Sequence, residues 1–410
     1  MFGTPASARS FHRAFGKIFG GIALQPGIIA LGGASALHRH CAYRTGGGRA
    51  PAGQPIWRRT MITGKLFAAA AVCGLLLCAP VSAAPGVPGT FNQPGNILIA
   101  DQFNNRVIEI DRKGDIVWSW GLGPHDFSAS SALGVNDAER VGNDTLMAAT
   151  GIPPKVDPYC KKGCPDNRVL LVDPHGNIAW QFGQFGVSGS GDDELNTPVQ
   201  ATWTPDKTVY ITDQGNQRVI LVDRGKNILW QYGTTGVAGN GFDELNNPNS
   251  AELLDNGNVL IADEGNNRVI EVDKKTKNVV ATWTAQGTMN APAFASILPN
   301  GKLLVPDGGN NRVILLNKMD QITFEYDTNK QMGSNPNPAP SQAVETMNGR
   351  IVISDQFNDR VIVIDRKGKL LVQYGNLNSP GYGTTNASEG LFAPYGAKVI
   401  GDYTGLTPPY

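Results

Sequence analysis

The chain has 410 residues, among them 50 glycines and 27 prolines, and its 35 basic residues balance 35 acidic residues. Short runs of Val, Ile and Leu between Asn, Asp and Gly are typical of many short strands joined by tight turns, not of a helical protein. Residues 1–84 contain nine basic residues and no acidic one, so 26 basic residues stand against 35 acidic residues in the rest of the chain. This acidic body argues against nucleic acid as a partner.

The first 84 residues have the composition of leader segments. Residues 1–60 are rich in Arg, Gly and Ala without periodicity, which indicates a leader or an extension created by a wrongly chosen start codon. Residues 61–84 are typical of a secretory signal peptide, because Lys65 is followed by the apolar stretch Leu66–Val81 and then by small residues. The alternative is a membrane anchor, but the stretch is shorter than the ~20 residues of a spanning helix. We therefore expect no stable membrane span after cleavage.

Residues 91–410 contain six similar segments. Each has an apolar run that ends in Asp, a polar turn, and an Arg followed by a second apolar run, as in VLIADEGNNRVIEVD from Val259. This pattern predicts two strands joined by a tight turn, and an aromatic strand and a Pro-marked strand follow in most units. Four strands in about 45 to 50 residues are typical of a propeller blade. The segments begin at Ile97, Cys160, Val209, Val259, Leu303 and Ile351.

The repeated core resembles the NHL repeat, which has an apolar strand, Asp, two variable residues, Asn, one variable residue, Arg, and Val or Ile. Ala262–Asp273 matches this pattern closely, and the resemblance covers residues 91–410. It implies an all-β fold, a six-bladed β-propeller. The second unit departs from the pattern, since an insertion from Gly151 to Pro165 replaces the usual short turn.

The two ends of the repeat region complement each other. The first unit begins at Gly95 without the Pro-marked innermost strand of the other units. The segment from Phe392 aligns with the innermost strand of the fourth unit, which is preceded by Asn246. The segment from Phe392 is not followed by the other three strands of a unit. We therefore expect the C-terminal strand to complete blade one and close the ring.

Several recurrent residues are interpreted as structural. The Asp and Arg of the repeat occur in nearly every blade, which is typical of turn and inter-blade pairing and not of a catalytic group. The aromatic strands carry residues that could form a stacking platform, but their fixed place in the repeat favours packing. These residues are Trp118, Trp180, Trp230 and Trp283.

Cys160 and Cys164 are the only cysteines beyond residue 84. In an exported protein they predict a disulfide, and two thiols alone do not complete a zinc site. His125 and His175 are the only histidines in the same part of the chain. The three-histidine zinc centre of peptide-amidating lyases with NHL repeats therefore cannot form within one chain, and we expect no metal site.

Propeller ligands usually bind at the mouth of the central channel, where the innermost strands converge. The residues after the Pro signal of these strands differ between blades, as a specific site on a repetitive frame requires. The alternative is a polar, water-filled channel without a ligand. The candidate ligand-binding residues are Asn136, Asp137, Glu139, Gln200, Asn249, Ser250, Glu252, Phe294, Ser341, Gln342 and Tyr395.

These patterns favour a secreted or periplasmic, monomeric propeller that binds a protein, peptide or glycan at the channel mouth without a cofactor. The alternative is a calcium-assisted hydrolase or lyase, since lactonase-like propellers hold a central calcium with carboxylates and amides. A purely structural role in the cell envelope is the third hypothesis.

Export predicts cleavage after Ala83 or Ala84, where the small residues follow the apolar stretch. The intact mass of the exported protein is expected to match a chain that begins at residue 84 or 85. Exported material that retains residues 61–80 would contradict the prediction.

Overall fold

The computed structural model describes residues 90–382 and 390–410, and these form six four-stranded antiparallel sheets arranged as the blades of a propeller. The predicted leader and signal peptide lie outside the described residues. Among the residues described, no helix has the length and hydrophobicity needed to cross a membrane.

Each blade runs from an innermost strand at the channel to an outermost strand at the rim. Blade one comprises β24 (Pro394–Val399), β1 (Ile97–Asp101), β2 (Arg106–Ile110) and β3 (Ile116–Trp120); blade two β4 (Val135–Val141), β5 (Asp144–Ile152), β6 (Cys164–Val172) and β7 (Ile178–Phe182); and blade three β8 (Pro198–Trp203), β9 (Val209–Asp213), β10 (Arg218–Val222) and β11 (Ile228–Tyr232). Blade four comprises β12 (Pro248–Leu253), β13 (Val259–Asp263), β14 (Arg268–Val272) and β15 (Val279–Trp283); blade five β16 (Ser296–Ile297), β17 (Leu303–Asp307), β18 (Arg312–Leu316) and β19 (Ile322–Asp327); and blade six β20 (Gln342–Glu345), β21 (Ile351–Asp355), β22 (Arg360–Ile364) and β23 (Leu370–Gly375).

The C-terminal strand completes blade one, as predicted. β24 pairs antiparallel with β1, with Val399 opposite Ile97 and Ala397 opposite Ile99. Blade one is thus assembled from both ends of the described repeat region, and the inner edge of β1 is paired.

The repeat Asp organises the turn between the two middle strands. In blade three, Asp213 Oδ2 accepts hydrogen bonds from Asn216 Nδ2 at 2.7 Å and from Arg218 Nε at 2.8 Å. Its Oδ1 accepts from the backbone N–H of Asn196, in the loop that enters the innermost strand. The Asp, Asn and Arg of the repeat therefore hold the turn and the loop together. Short 3₁₀ turns follow the Asp in five blades: Gln102–Asn104, Gln214–Asn216, Glu264–Asn266, Gly308–Asn310 and Gln356–Asn358.

The residue before each repeat Arg joins its blade to the next one. It has a positive φ, for example 54° at Asn267. This conformation directs the Asn267 Oδ1 atom to the backbone N–H of Ala291, 2.9 Å away in the loop that enters blade five. The same link occurs at all six boundaries. The acceptors are Asn105, Asn167, Gln217, Asn267, Asn311 and Asp359, and the donors are Gly134, Thr197, Asn247, Ala291, Ala339 and Ala393.

Apolar packing covers the same boundaries. Cluster residues such as Leu171 in blade two and Ile211 in blade three meet between neighbouring sheets. The indole N–H of Trp180 donates to the Arg224 carbonyl in blade three, and that of Trp230 donates to Lys274 in blade four. These tryptophans pack between blades, in agreement with the structural interpretation.

Removal of residues 391–410 should abolish cooperative folding. The truncation deletes β24, exposes the inner edge of β1 and leaves apolar residues uncovered on both sides. Several backbone hydrogen bonds at ~1 kcal/mol each, added to the lost burial, are comparable with a total stability of ~5–15 kcal/mol. Size-exclusion chromatography and thermal melting by circular dichroism test this. A truncation of Pro408–Tyr410, which keeps β24, is the control. A soluble monomer lacking residues 391–410 that melts at an unchanged temperature would contradict the role of β24.

Candidate functional site

A cavity of about 760 Å³ opens on the face of the ring that carries the 3₁₀ turns. It is bounded by these turns and by the first residues of the innermost strands. Eleven of the residues that line it carry neutral amide groups, which can both donate and accept hydrogen bonds, and the others are mainly apolar or small. The amide residues are Gln102, Asn136, Asn167, Asn196, Gln214, Asn249, Asn290, Asn311, Asn335, Asn337 and Gln356.

One side of the cavity floor is a chain of three amides from three blades. Gln356 Nε2 donates to Gln102 Oε1 at 2.9 Å, and Gln102 Nε2 donates to Asn136 Oδ1 at 2.8 Å. Two of these residues follow the repeat Asp, and Asn136 is the second residue of β4. The chain fixes the orientation of each amide before any ligand arrives.

The opposite side contains an acid, Glu264. Its Oε2 accepts from Asn249 Nδ2 at 2.7 Å and from Gln214 Nε2 at 3.3 Å. Asn249 also exchanges hydrogen bonds with the Tyr395 hydroxyl, at 2.8 and 3.0 Å. Burial raises the pKa of Glu264 to about 7, against the hydrogen bonds from Asn249 and Gln214.

Below the cavity floor, the channel is filled by a buried charge network. Lys398 Nζ, from β24, lies 2.9 Å from Asp137 Oδ1 and 3.7 Å from Glu139 Oε2. Gln342 accepts from the Ala397 backbone N–H at 2.7 Å and donates to Asp137 at 3.3 Å. The ammonium therefore occupies the point where the inner strands of three blades converge.

The far end of the channel is closed by the C-terminal segment. Glu252 Oε2 accepts from the backbone N–H of Thr407 at 2.8 Å and from its hydroxyl at 2.6 Å, while Oε1 accepts from Gln200 Nε2 at 2.9 Å. Thr407 also accepts from the N–H of Leu253, at the end of β12 away from the cavity. The cavity is consequently a blind recess that opens at one face of the ring.

Three buried carboxylates share the one Lys398 ammonium. Burial disfavours the ammonium, but Asp137, Glu139 and Glu252 outweigh it and raise the pKa of Lys398. Burial also raises the pKa of Glu139 to about 8, with Glu252 and Asp137 adding repulsion that Lys398 only partly offsets. Burial and repulsion therefore make Glu139 harder to ionise than an ordinary glutamate.

The structure separates the candidate residues by depth in the channel. Asn136, Asn249, Ser341 and Tyr395 line the cavity. The deeper residues are buried in the polar network beneath it: Asp137, Glu139, Gln200, Glu252 and Gln342. Ser250 is also buried, and Phe294 lies in the apolar cluster between blades, packed with residues such as Ile99 and Ala397.

Sequence reasoning missed the acid and three amides contributed by the 3₁₀ turns: Gln102, Gln214, Glu264 and Gln356. They occupy the first variable position after the repeat Asp. The sequence shows that this position differs between blades, but it does not show the turn geometry that directs the side chain to the channel.

The blade-two loop, residues 153–163, overhangs one side of the cavity. Cys160 and Cys164 form the predicted disulfide, with Cα atoms 5.8 Å apart. Cys160 and Val156 pack in an apolar cluster with Phe103 of blade one. The loop thereby holds Lys162 at the cavity wall.

Among the described residues, no group of three His, Cys, Asp or Glu side chains has the arrangement of a metal site. The carboxylates nearest the channel axis are those that surround the Lys398 ammonium.

The six four-stranded sheets and the closing strand β24 define a six-bladed β-propeller. Residues 49–324 match the PQQ_2 family model, which is described as outer membrane protein assembly factor BamB. The chain belongs to this family. The likeness of its repeats to NHL repeats stays a prediction.

Solved structures show related architecture at low identity. A protein of unknown function from Bacteroides caccae is 16% identical, with a TM-score of 0.49, and the match covers 68% of this chain and 93% of that one. A streptogramin B lyase is 14% identical, with a TM-score of 0.47 and coverage of 81% and 93%. Virginiamycin B lyase from Staphylococcus aureus is 11% identical, with a TM-score of 0.45 and coverage of 71% and 84%. No curated protein matches the chain.

Substitution of Glu139 by Gln should stabilise the protein at high pH and change little at low pH. Burial raises the pKa of Glu139 in the folded protein to about 8, whereas the unfolded carboxyl has its ordinary pKa of 4.5. The unfolded state therefore binds fewer protons between these values, and wild-type stability from this group falls as the pH rises. The variant has no proton to lose, so its advantage should grow by up to about 4 kcal/mol from pH 5 to pH 9.

Urea unfolding of both proteins at pH 5, 7 and 9 measures this difference, with Glu325→Gln at an exposed position as the control. A Glu139→Gln stability difference that is independent of pH would show that Glu139 is ionised in the folded protein.

Proposed function

We propose that this chain is an extracytoplasmic binding propeller that holds a segment of a protein or peptide, or a glycan, in the cavity on the face with the 3₁₀ turns. The observation that supports this proposal is the blind, amide-lined recess of about 760 Å³. It is concave, wide enough for several residues or sugar units, and walled by groups that match peptide amides or sugar hydroxyls.

The wall also has an apolar component. Phe103, Phe357 and Ile152 reach the cavity beside the amides, and Pro153 and Pro154 of the blade-two strand and loop contribute further apolar surface. A few polar groups that fix orientation, set among apolar side chains, are typical of binding sites. This combination favours recognition of an extended polymer segment over a small ion.

The buried charges argue for binding rather than calcium-assisted hydrolysis. A calcium ion on the channel axis would need several free carboxylate oxygens. Here Asp137 is paired with the Lys398 ammonium, and Glu252 is occupied by Gln200 and Thr407. The charged groups below the cavity thus support the fold, and the hydrolase or lyase hypothesis has no comparable support.

Two observations support a location outside the cytoplasm. The signal-peptide pattern of residues 61–84 and the Cys160–Cys164 disulfide both fit an oxidising, exported environment. The family is named after an outer membrane protein assembly factor, which also fits a role in the bacterial envelope.

A substitution that fills the cavity mouth should prevent binding without unfolding the ring. Asn337 lines the cavity and is exposed, and its described hydrogen bond comes from the backbone. Asn337→Trp should therefore weaken binding at least tenfold by steric exclusion. Met319→Trp, at an exposed position on the turn before β19, is the matched control.

The measurement is a screen of wild-type protein against arrays of extended peptides and oligosaccharides, followed by titration calorimetry of the hits with all three proteins. Hits that Asn337→Trp binds as tightly as wild type would place recognition elsewhere. An absence of hits in both arrays would count against the binding function itself.

A further inference from the structure

Blade four differs from the other blades at one position of the cavity wall. The residue that follows the repeat Asp is Gln102, Gln214 or Gln356 in three blades, Gly308 in blade five and Glu264 in blade four. Glutamine and glutamate have the same shape, so the exchange alters charge and hydrogen bonding while leaving the fold of the turn unchanged. Among the described residues that line the cavity, Glu264 is the only acid and Lys162 the only base.

In the described part of the chain, one oxygen of Glu264 accepts hydrogen bonds. Oε2 accepts from Asn249 and Gln214, whereas no described residue donates to Oε1. Oε1 is also not among the atoms sealed from solvent, so it is accessible from the cavity. Asn249 is itself held by the Tyr395 hydroxyl, which fixes the carboxylate in its orientation.

The charge at this position is costly without a partner. A carboxylate that is partly removed from water and held by neutral amides loses solvation that two neutral hydrogen bonds do not replace. No described ion pair involves Glu264, whereas the buried carboxylate of Asp137 is neutralised by Lys398. A glutamine, as in blades one, three and six, would make equivalent contacts without this cost. Glu264 therefore has the properties of a group whose partner comes from the ligand.

We infer that Glu264 is the counter-ion for a positively charged side chain, lysine or arginine, of an extended peptide segment bound in the cavity. The inference rests on the proposed binding function and names its ligand class. A hard metal ion would require several carboxylate oxygens, whereas the described residues of the wall supply one acid among amides. A neutral glycan would gain nothing from the charge.

The net charge of the rest of the molecule also favours a basic ligand. Beyond residue 84 the chain carries 26 basic residues against 35 acidic ones. An acidic body attracts a cationic segment from a distance, and Glu264 in the recess then sets the register of that segment.

The test uses the exported wild-type protein and two variants. Glu264→Gln places at this position the residue that three other blades already have, so it is expected to fold normally. Glu325→Gln removes a carboxylate at an exposed position outside the cavity and is the matched control. The probes are four blocked alanine-based pentapeptides with a central lysine, arginine, norleucine or glutamate, and binding is measured by titration calorimetry at pH 8.

Wild type and Glu325→Gln should bind the lysine and arginine peptides roughly 10–100-fold more tightly than the norleucine peptide. In Glu264→Gln this preference should fall below about threefold, while the norleucine peptide binds as before. Unchanged melting temperatures verify the fold of each variant.

Different failures have different meanings. Equal binding of lysine and norleucine peptides by wild type, or a lysine preference that survives in Glu264→Gln, would overturn the counter-ion role and leave the binding function standing. Binding of neutral oligosaccharides without binding of any peptide would also overturn the counter-ion role and leave the binding function standing. Calcium or magnesium binding by wild type that is lost in Glu264→Gln would overturn it in favour of a metal site. If neither peptides nor oligosaccharides bind, the binding function falls as well.

Discussion

The ring depends on one hydrogen bond repeated at each of its six boundaries. The residue before each repeat Arg has a positive φ, and its side-chain oxygen accepts from a backbone N–H in the loop that enters the next blade. Asn adopts this conformation more readily than most residues, which explains its frequency there. Because the acceptor belongs to one blade and the donor to the next, the link sets the angle between neighbouring sheets.

The same turn produces the candidate site. The Asp, Asn and Arg of the turn are committed to the scaffold, which leaves the residue directly after the Asp free to vary and aims it at the channel axis. Gln102, Gln214, Glu264 and Gln356 all reach the cavity from this position. The rigid, repeated turn thus carries a residue that can differ between blades, so the chemistry of the recess can change without a change in the ring.

The sequence predicted the features that follow from the repeat length, from the strand missing in blade one and from the number of cysteines. Six in-phase repeats predicted the blades, the missing strand of blade one predicted its completion by β24, and two isolated cysteines predicted their disulfide. The sequence pattern could not predict how deep in the channel each residue lies. Asn249 and Glu252 lie three residues apart on β12, yet the first lines the open cavity and the second is sealed by Thr407. The place of Lys398 depends on three strands that are remote in sequence.

The position of the closing strand has a consequence for when the site comes into existence. β1 is made near the start of the described chain and its partner β24 near the end, so blade one stays incomplete while all the other blades are synthesised. This last segment contains three residues of the channel. Lys398 pairs with Asp137, Tyr395 hydrogen-bonds to Asn249, the residue that holds Glu264, and Thr407 hydrogen-bonds to Glu252 at the far end. A nascent chain that lacks this segment can therefore form blades but not the complete recess. The order of the strands along the chain therefore makes the recess the last part of the ring to be completed.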